Sequence, residues 1–297
     1  LLKRFPGLDA LVGINALSKA AEAVKLGKSY ILPSEGLLAS PRLKTRLTAP
    51  HSAYLKIADG CDNRCAYCLI PSIRGGFRSK PVDSLVEEAR NLAESGAVEI
   101  SLIAQDTTSY GADLYGRPRL AWLLNSLLKI ESVKWWRLMY AYPERLTPEV
   151  IEIMRSNKNV CRYLDMPLQH ISDRMLRIMN RHTTRRETQD KIDALRRARP
   201  GIALRTTFII GHPGETKSDF AELMSFAEEN TFERMGGFIY SAEDGTPAAR
   251  FRGRVRAKVA RERLDLLNEA YDRWSSDHSV DRIGQTMRVL IENRTDE

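Results

Sequence analysis

Apolar and polar residues alternate with two different periods along most of the chain after residue 52. Short runs rich in β-branched, aromatic and aliphatic residues predict six strands, at 53–58, 98–104, 134–140, 160–166, 203–210 and 234–240. Between them, apolar residues three or four positions apart predict amphipathic helices at 83–95, 119–130, 148–156, 184–198 and 216–229. Strands that alternate with helices of this length are typical of parallel sheets. The pattern therefore predicts an α/β fold, with a parallel sheet curled into an incomplete six-stranded barrel.

The two ends of the chain follow other patterns. Residues 8–27 predict an amphipathic helix that ends at Gly27, residues 258–283 predict one long helix, and residues 285–293 alternate as a strand. We therefore expect three parts: a domain tail and linker (1–50), the sheet domain (51–283) and the start of a further small β domain (284–297). Because the chain begins without methionine in a helix-like segment, we also expect it to be a fragment.

Composition and charge narrow the class of protein. The chain has 297 residues, 43% of them hydrophobic, which is enough for a full core and excludes a disordered protein. No segment resembles a membrane span or a signal peptide, so we expect a cytoplasmic protein. The net charge of +8 favours an acidic partner such as RNA or a ribonucleoprotein. The excess lies mainly in residues 174–199 and 250–263, where solvated helix faces explain it equally well.

Three of the four cysteines lie within eight residues, as Cys61, Cys65 and Cys68 in a CxxxCxxC motif. Three thiolates can bind three irons of a [4Fe-4S] cluster and leave the fourth iron open to a small ligand. A structural zinc site prefers four ligands in closely spaced pairs, which this motif lacks. Cys161 stands alone at the start of a predicted strand, at the opposite end of the sheet. We therefore predict a three-cysteine cluster, with zinc or incidental thiols as the alternatives.

A CxxxCxxC motif after the first strand of a six-stranded half-barrel resembles the radical S-adenosylmethionine (SAM) superfamily. In that superfamily, SAM binds the open iron through its amino and carboxylate groups, and one electron cleaves it to a 5′-deoxyadenosyl radical. The protein holds the cofactor dry and oriented. The resemblance implies that the reactive groups lie after the carboxyl ends of the strands, as in other sheets of this kind. Tyr67, just before the last cysteine, is a candidate contact to the cofactor.

Polar residues follow the predicted strands where the resemblance implies SAM contacts. Gln105 and Asp106 follow the second strand, at the position where family members bind the SAM amino group, although the usual Gly-Gly-Glu is absent. The alternative for this segment is a polar turn that caps a helix. Gln169 follows the fourth strand, and Arg205 in the fifth can bind a carboxylate with its planar guanidinium. For His170 we favour a structural hydrogen-bonded role over that of a catalytic base.

The segment FIIGHPGET, at the end of the fifth strand, resembles a GxIxGxxE-type motif of the same superfamily. Its glycines, Gly211 and Gly214, would allow the backbone to approach a ligand closely. Glu215 is a candidate SAM contact. The alternative is that Glu215 and Thr216 simply cap the next helix.

A finer resemblance narrows the family. The strings CDNRCAYCLIPSIRGGFRSK, AQDTTSYG, YLDMPLQHISDRMLRIMNR, GHPGET and YSAEDGTPAA resemble the methylthiotransferases, and AQDTTSYG with PLQHISD resembles their RimO branch. The resemblance covers residues 51–283. It implies transfer of a methylthio group to the β-carbon of an aspartate in a small-subunit ribosomal protein. It also implies that residues 1–27 end an N-terminal domain with a second [4Fe-4S] cluster, whose three cysteines are not in this chain, and that the last strand begins a TRAM domain.

The resemblance also implies binding partners, and two alternative functions stay open beside it. We expect a ribosomal protein or an assembled ribosomal subunit as substrate, an electron donor such as flavodoxin, and no membrane. The nearest rival is a MiaB-like tRNA adenosine methylthiotransferase, which shares cluster, cofactor and charge. A rival of another class is a non-catalytic iron–sulfur or zinc module that binds RNA and never consumes SAM.

Overall fold

The computed structural model describes residues 5–32, 49–280 and 282–292. The strands are β1 (Ser52–Lys56), β2 (Ala58–Asp59), β3 (Arg78–Ser79), β4 (Glu99–Ile103), β5 (Trp135–Leu138), β6 (Val160–Asp165), β7 (Ala203–Ile210) and β8 (Arg234–Ile239). Six of them form one parallel sheet in the order β1-β4-β5-β6-β7-β8, while β2 and β3 pair antiparallel beside it. Among the described residues the sheet is open, with β1 and β8 as its edges. The predicted incomplete parallel barrel is therefore confirmed.

The described part of the chain has ten α-helices, several of which pack against the sheet. They are α1 (Ala20–Leu26), α2 (Ile70–Arg74), α3 (Val82–Glu94), α4 (Ala112–Tyr115), α5 (Leu120–Leu127), α6 (Pro148–Ser156), α7 (Asp173–Ile178), α8 (Arg185–Ala198), α9 (Lys217–Asn230) and α10 (Ala257–Val280). Local sequence sets several of their starts. Thr184 and Thr216 each form a capping box, with Glu187 for α8 and Asp219 for α9. None of the helices in the described ranges is long and apolar enough to cross a membrane.

A row of leucines crosses the sheet on its helix-facing side. These are register partners on five consecutive strands and at most 1% exposed: Leu55, Leu102, Leu138, Leu164 and Leu204. Burying each such side chain contributes about 1.5 to 3 kcal/mol. The opposite, concave face carries polar groups, among them Glu99 and Arg137, which form an ion pair at 2.6 Å. The chain thus separates an apolar core on one side of the sheet from a polar concave face on the other.

Two segments differ from the sequence-based expectation. The first predicted strand, at 53–58, divides into β1 and β2, because Ala58 and Asp59 leave the main sheet to pair with β3. The strand predicted at 285–293 is wrong over 285–292, where the structure has no β pairing, and residue 293 lies outside the described residues. Alternation of apolar residues does not form a strand without a neighbour to accept its backbone hydrogen bonds. The predicted boundaries of the three parts stay predictions.

Candidate active site at the carboxyl ends of the strands

The three clustered cysteines lie on the loop that follows β2. Cys61 and Cys65 are buried and Cys68 is half-buried. Backbone hydrogen bonds fix the loop, from Cys61 N to Gly75 O at 3.2 Å and from Cys68 N to Cys65 O at 3.1 Å. The thiols are therefore held by backbone that is itself ordered.

Two distant segments also hold this loop in place. Ala66 donates its N–H to the carbonyl of Met179, just after α7, at 2.9 Å. The carbonyl of Ala66 accepts the N–H of Ala248 at 2.9 Å, and Asn180 Nδ2 donates to Arg64 O at 2.6 Å. The position of the cysteines therefore depends on chain far away in sequence.

Burial and hydrogen bonds characterise the surroundings of the thiols. In the described ranges, no three His, Cys, Asp or Glu side chains are placed to share one metal ion. A [4Fe-4S] cluster does not require this, because each cysteine binds a different iron. Burial raises the pKa of both Cys61 and Cys68. Their sulfurs accept hydrogen bonds, from Asn63 Nδ2 and from the backbone N–H of Ile70, at 3.4 Å each.

A cleft of about 320 Å³ has Tyr142 in its wall, and burial, together with the nearby Cys65 and Cys61 thiols, raises the pKa of this tyrosine. The cleft is lined by Gln105, Tyr140, Tyr142, Asp165, Pro167, Gln169, Arg181, Arg205, Thr207 and Phe238. Its volume lies in the range of small-molecule sites. The structure therefore brings together three of the residues predicted from sequence: Gln105 and Gln169, which follow strands, and Arg205, which lies near the start of β7 opposite the end of β6.

Several polar groups of the cleft have no protein partner. Gln105 Oε1 and Arg181 Nε are buried without a hydrogen-bond partner in the described part of the chain. Arg181 is only 5% exposed, and its guanidinium lies 4.2 Å from the centre of the Tyr142 ring. Buried polar atoms without partners are costly in a folded protein. The cleft thus offers an acceptor and a cation to a ligand.

Gln169 reaches the cleft through an unusual backbone conformation. Its φ is +70°, in the left-handed region that non-glycine residues rarely adopt. Its N–H donates to Thr207 O and its carbonyl accepts the N–H of Ile209, both at 2.8 Å. These bonds to β7 hold the strained residue, as is common at functional sites.

Charges of both signs line the cleft. Arg205 Nε lies 4.0 Å from Asp165 Oδ1. Burial raises the pKa of Asp165, while Arg205 acts in the opposite direction. The Arg205 side chain is about half exposed, at 48%, so it remains accessible to a ligand.

Asp106 is placed differently from its neighbour Gln105. It is 1% exposed and does not line the Gln105 cleft. Its carboxylate accepts hydrogen bonds from Thr108 Oγ1, from the N–H and Oγ of Ser109, from Asn63 Nδ2 and from Arg145. Asp106 therefore caps the short 3-10 helix Thr107–Ser109 and joins two loops.

Gly211 and Glu215 also lie outside the cleft. A Cβ on Gly211 would lie 2.8 Å from the Cβ of Ala260, so the close approach at this glycine is to α10. Glu215 is 5% exposed, accepts the N–H of Gly211 at 2.7 Å and forms an ion pair with Arg263. Thr216, rather than Glu215, caps α9. In this geometry, the motif fixes β7 to α10.

Two buried histidines belong to this region, His170 after β6 and His212 within the motif itself. His170 is fully buried, and its Nδ1 accepts the N–H groups of Ile171 and Ser172, at 2.8 and 3.0 Å. Burial lowers its pKa to about 3, so it is neutral, with its proton on Nε2. This geometry agrees with the structural role favoured for it. His212, which sequence reasoning passed over, is also buried and lies edge-on to Tyr67 at 6.3 Å.

Similarity to known proteins agrees with this geometry. Residues 55–227 match the Radical SAM superfamily. The chain is 46% identical, over 99% of its length, to the ribosomal protein uS12 methylthiotransferase RimO of Elusimicrobium minutum, of which it covers 68%. Its identity to RimO of Clostridioides difficile is 42%, over 100% of this chain and 68% of that protein. The chain belongs to the RimO family of radical SAM proteins.

Solved structures of other radical SAM enzymes share the RimO fold seen here. The methyltransferase TsrM of Kitasatospora setae, whose structure contains cobalamin and a [4Fe-4S] cluster, matches with a TM-score of 0.55 over 66% of this chain and 38% of its own, at 18% identity. Methylornithine synthase PylB matches with a TM-score of 0.52 over 75% of this chain and 64% of its own, at 11% identity. Membership of the superfamily implies a [4Fe-4S] cluster and SAM.

Proposed function

We propose that this chain binds a [4Fe-4S] cluster through Cys61, Cys65 and Cys68, binds SAM in the Gln105 cleft, and serves methylthiolation of the β-carbon of an aspartate in ribosomal protein uS12. The observation that carries the proposal is the adjacency of the three thiols and the cleft. Tyr142 lines the cleft, and burial, with the nearby Cys65 and Cys61 thiols, raises its pKa. The substrate follows from the RimO relatives, which are named for uS12.

The residues present fit both groups. The cysteine loop supplies three soft sulfur ligands, the ligand type that iron–sulfur clusters require. Gln105 Oε1 can accept a hydrogen bond from an amino group, and the guanidinium groups of Arg181 and Arg205 can bind a carboxylate. SAM carries both of these groups on one methionine moiety.

The bound cluster and SAM would supply the radical chemistry that activates a carbon–hydrogen bond without an acidic proton. The chain's own residues would bind the cluster and SAM and orient them. Tyr140, Tyr142 and Phe238 supply aromatic surface on which a bound ligand can pack. Gln169, fixed in its left-handed conformation, presents a side chain that is already placed for binding.

The sulfur donor requires more than the residues described here. The chain has four cysteines, and Cys161 is alone near the start of β6, so it cannot form a second three-cysteine site with the others. We place the second [4Fe-4S] cluster elsewhere in the full-length protein, since the chain spans about 68% of the length of its RimO relatives.

An acidic electron carrier such as flavodoxin is the proposed reductant. The loop before α10 exposes four cations, Arg250, Arg252, Arg254 and Arg256, and is bonded to the cysteine loop through Ala248. This basic surface therefore lies beside the proposed cluster, where an acidic carrier would have to dock. The basic stretch at 174–199 gives less support for a docking surface, because Arg174 and Arg185 form ion pairs with acidic residues of α9.

Two alternative functions, a tRNA methylthiotransferase and a non-catalytic RNA-binding module, are less well supported than this proposal. A tRNA methylthiotransferase would share cluster and cleft, but the RimO names of the relatives favour a ribosomal protein. A ribosomal substrate also supports the cytoplasm as the compartment. A non-catalytic RNA-binding module would leave the buried unpaired groups of the cleft without a ligand.

The deciding experiment incubates the anaerobically reconstituted, reduced chain with SAM. We expect slow formation of 5′-deoxyadenosine and methionine, lost in Cys65→Ala and kept in Cys161→Ala. We expect no methylthio product on uS12 from this chain alone. Its appearance would contradict the placement of the second cluster outside these residues. Mass spectrometry of uS12 and of tRNA from cells lacking the full-length gene would separate the two methylthiotransferase functions.

A further inference from the structure

An amide side chain sits beside the first cysteine of the motif. Asn63 is 9% exposed, and its Nδ2 lies 3.4 Å from Cys61 Sγ and 3.1 Å from Asp106 Oδ2. Its Oδ1 accepts a hydrogen bond from Arg145 Nη2 at 2.7 Å. The two hydrogens on Nδ2 thus have two acceptors, a carboxylate and a sulfur.

The two charged partners fix which way round this amide lies. An arginine only donates hydrogen bonds, so Arg145 must face the oxygen of Asn63. An ionised aspartate only accepts them, so Asp106 must face the nitrogen. Rotation of the amide by 180° would lose both bonds at once. The N–H that points towards Cys61 is therefore selected by residues that do not touch the sulfur.

The supporting pair is itself rigid and nearly neutral in sum. Asp106 is 1% exposed and forms an ion pair with Arg145, in addition to its bonds to Thr108 and Ser109. Arg145 belongs to the short helix Pro143–Arg145 after β5, whereas Asp106 follows β4. Burial and the Asp106 charge raise the pKa of the Cys61 thiol, whereas both the backbone N–H and the side-chain amide of Asn63 lower it.

We propose that Asn63 is a positioning residue that donates a hydrogen bond to the Cys61 sulfur and so raises the reduction potential of the cluster, with Asp106 and Arg145 holding its amide in that orientation. Hydrogen bonds to cysteine sulfurs are a principal means by which proteins set cluster potentials. A donor to the sulfur stabilises the reduced cluster, which carries one more negative charge, more than the oxidised one. The inference rests on the proposed cluster on Cys61, Cys65 and Cys68.

The test compares midpoint potentials of the reconstituted chain in the absence of SAM, by a redox titration followed with EPR. Asn63→Leu, which keeps the shape and removes the donor, should shift the potential to a more negative value at unchanged iron content. Arg145→Lys, which keeps the charge but loses the paired guanidinium donors, should shift it in the same direction by less. Ser72→Ala removes an exposed hydrogen bond to Leu69 O in α2, next to the cysteine loop but outside the Asn63, Asp106 and Arg145 network, and should leave the potential at the wild-type value.

Each result decides a separate point. A wild-type potential in iron-loaded Asn63→Leu, or an equal shift in Ser72→Ala, would overturn the role of Asn63. If Asn63→Leu fails to take up iron, Arg145→Lys decides: a negative shift supports the inference, and an unchanged potential overturns it. A wild-type chain that binds no iron would instead contradict the proposed function, and the inference with it.

Discussion

A side chain at position 60 would collide with the backbone of Gly76: the Cβ of any residue replacing Gly60 would lie 2.1 Å from the Gly76 carbonyl oxygen. Gly60 also has φ +78°, in the left-handed region. The N–H of the neighbouring Cys61 donates a hydrogen bond to Gly75 O at 3.2 Å. The close approach of Gly60 to residues 75–76 therefore also positions the start of the cysteine loop. Gly60, the residue before the CxxxCxxC motif, thus allows the start of the cysteine loop to lie directly against residues 75–76.

Gly60→Ala should therefore destabilise the protein and impair iron uptake. We expect the free energy of unfolding to fall by more than about 2 kcal/mol, from backbone strain plus the forced shift of residues 75–76. Gly201→Ala is the matched control, since Gly201 has φ +75° but no atom lies within 4 Å of its added Cβ. It should cost about 1 to 2 kcal/mol and leave iron binding intact. Urea unfolding would measure both variants, and an equal loss of unfolding free energy in Gly60→Ala and Gly201→Ala would contradict a role for the contact between positions 60 and 76.

The cysteine assignment predicts a clear division among the four thiols. Alanine at Cys61, Cys65 or Cys68 should abolish the cluster chromophore and the bound iron of the reconstituted protein, because each binds a different iron. Cys161→Ala should keep both. Cys161 lies near the amino end of β6, opposite the carboxyl ends that carry the site, and burial raises the pKa of its thiol to about 11. Equal iron content in wild type and Cys65→Ala would refute the assignment.

The cleft residues should affect SAM binding without affecting the cluster. Gln105→Ala and Arg205→Ala should each weaken SAM binding by roughly 1 to 3 kcal/mol, the usual range for hydrogen bonds to charged groups. For Gln169 we choose asparagine, which shortens the side chain but tolerates φ +70°. Arg155→Ala, whose exposed side chain pairs with Glu152, is the control. Unchanged SAM affinity by equilibrium dialysis in all three cleft variants would mean that SAM binds elsewhere.

His170 gives a prediction for pH dependence. Burial lowers its pKa to about 3, helped by His212, Arg174 and Arg263 and opposed by Asp219. An unfolded histidine titrates near 6.5, so below that pH the unfolded state takes up a proton that the folded state does not. Stability from this residue is fully present above about pH 6.5 and declines as pH falls towards 3, by up to about 1.4 kcal/mol per pH unit.

His170→Asn should remove this decline while it keeps an acceptor for the backbone N–H groups. Urea unfolding between pH 7.5 and 5, in steps of about 0.5, would measure the difference between wild type and variant, which should shrink as the pH falls. His182→Asn, at an exposed position, serves as the control. Parallel curves for wild type and His170→Asn would show that the buried imidazole does not titrate on unfolding as expected.

The strands and long helices could be predicted because their signal is local. The predicted strand 203–210 has the bounds of β7, and 148–156 those of α6, since apolar spacing and capping residues are read directly from the chain. The antiparallel pair β2 and β3 was missed because each strand has only two residues.

For the candidate site, too, some residues could be predicted from local sequence and others could not. Strand ends can be located from sequence, and Gln105 and Gln169, which follow strands, line one cleft with Arg205 of β7; that they bind SAM stays a prediction. The direction of a side chain at a strand end depends on packing between distant segments, which spacing does not reveal. For this reason Glu215 was expected near a ligand and lies against α10, while Arg181, hidden in a basic run of sequence, lines the cleft.

The open sheet bears on the size of molecule that can reach the strand ends. In the described residues, β1 and β8 have no further strand beyond them, and the concave face is not enclosed by a complete ring of strands. A closed cylinder admits only groups narrow enough to travel along its axis, which suits free small molecules. A wall with a side opening admits a loop broadside while both of its ends continue into a folded body. Such an opening would let an aspartate in the middle of an already folded protein approach the strand ends without its chain being threaded or unfolded.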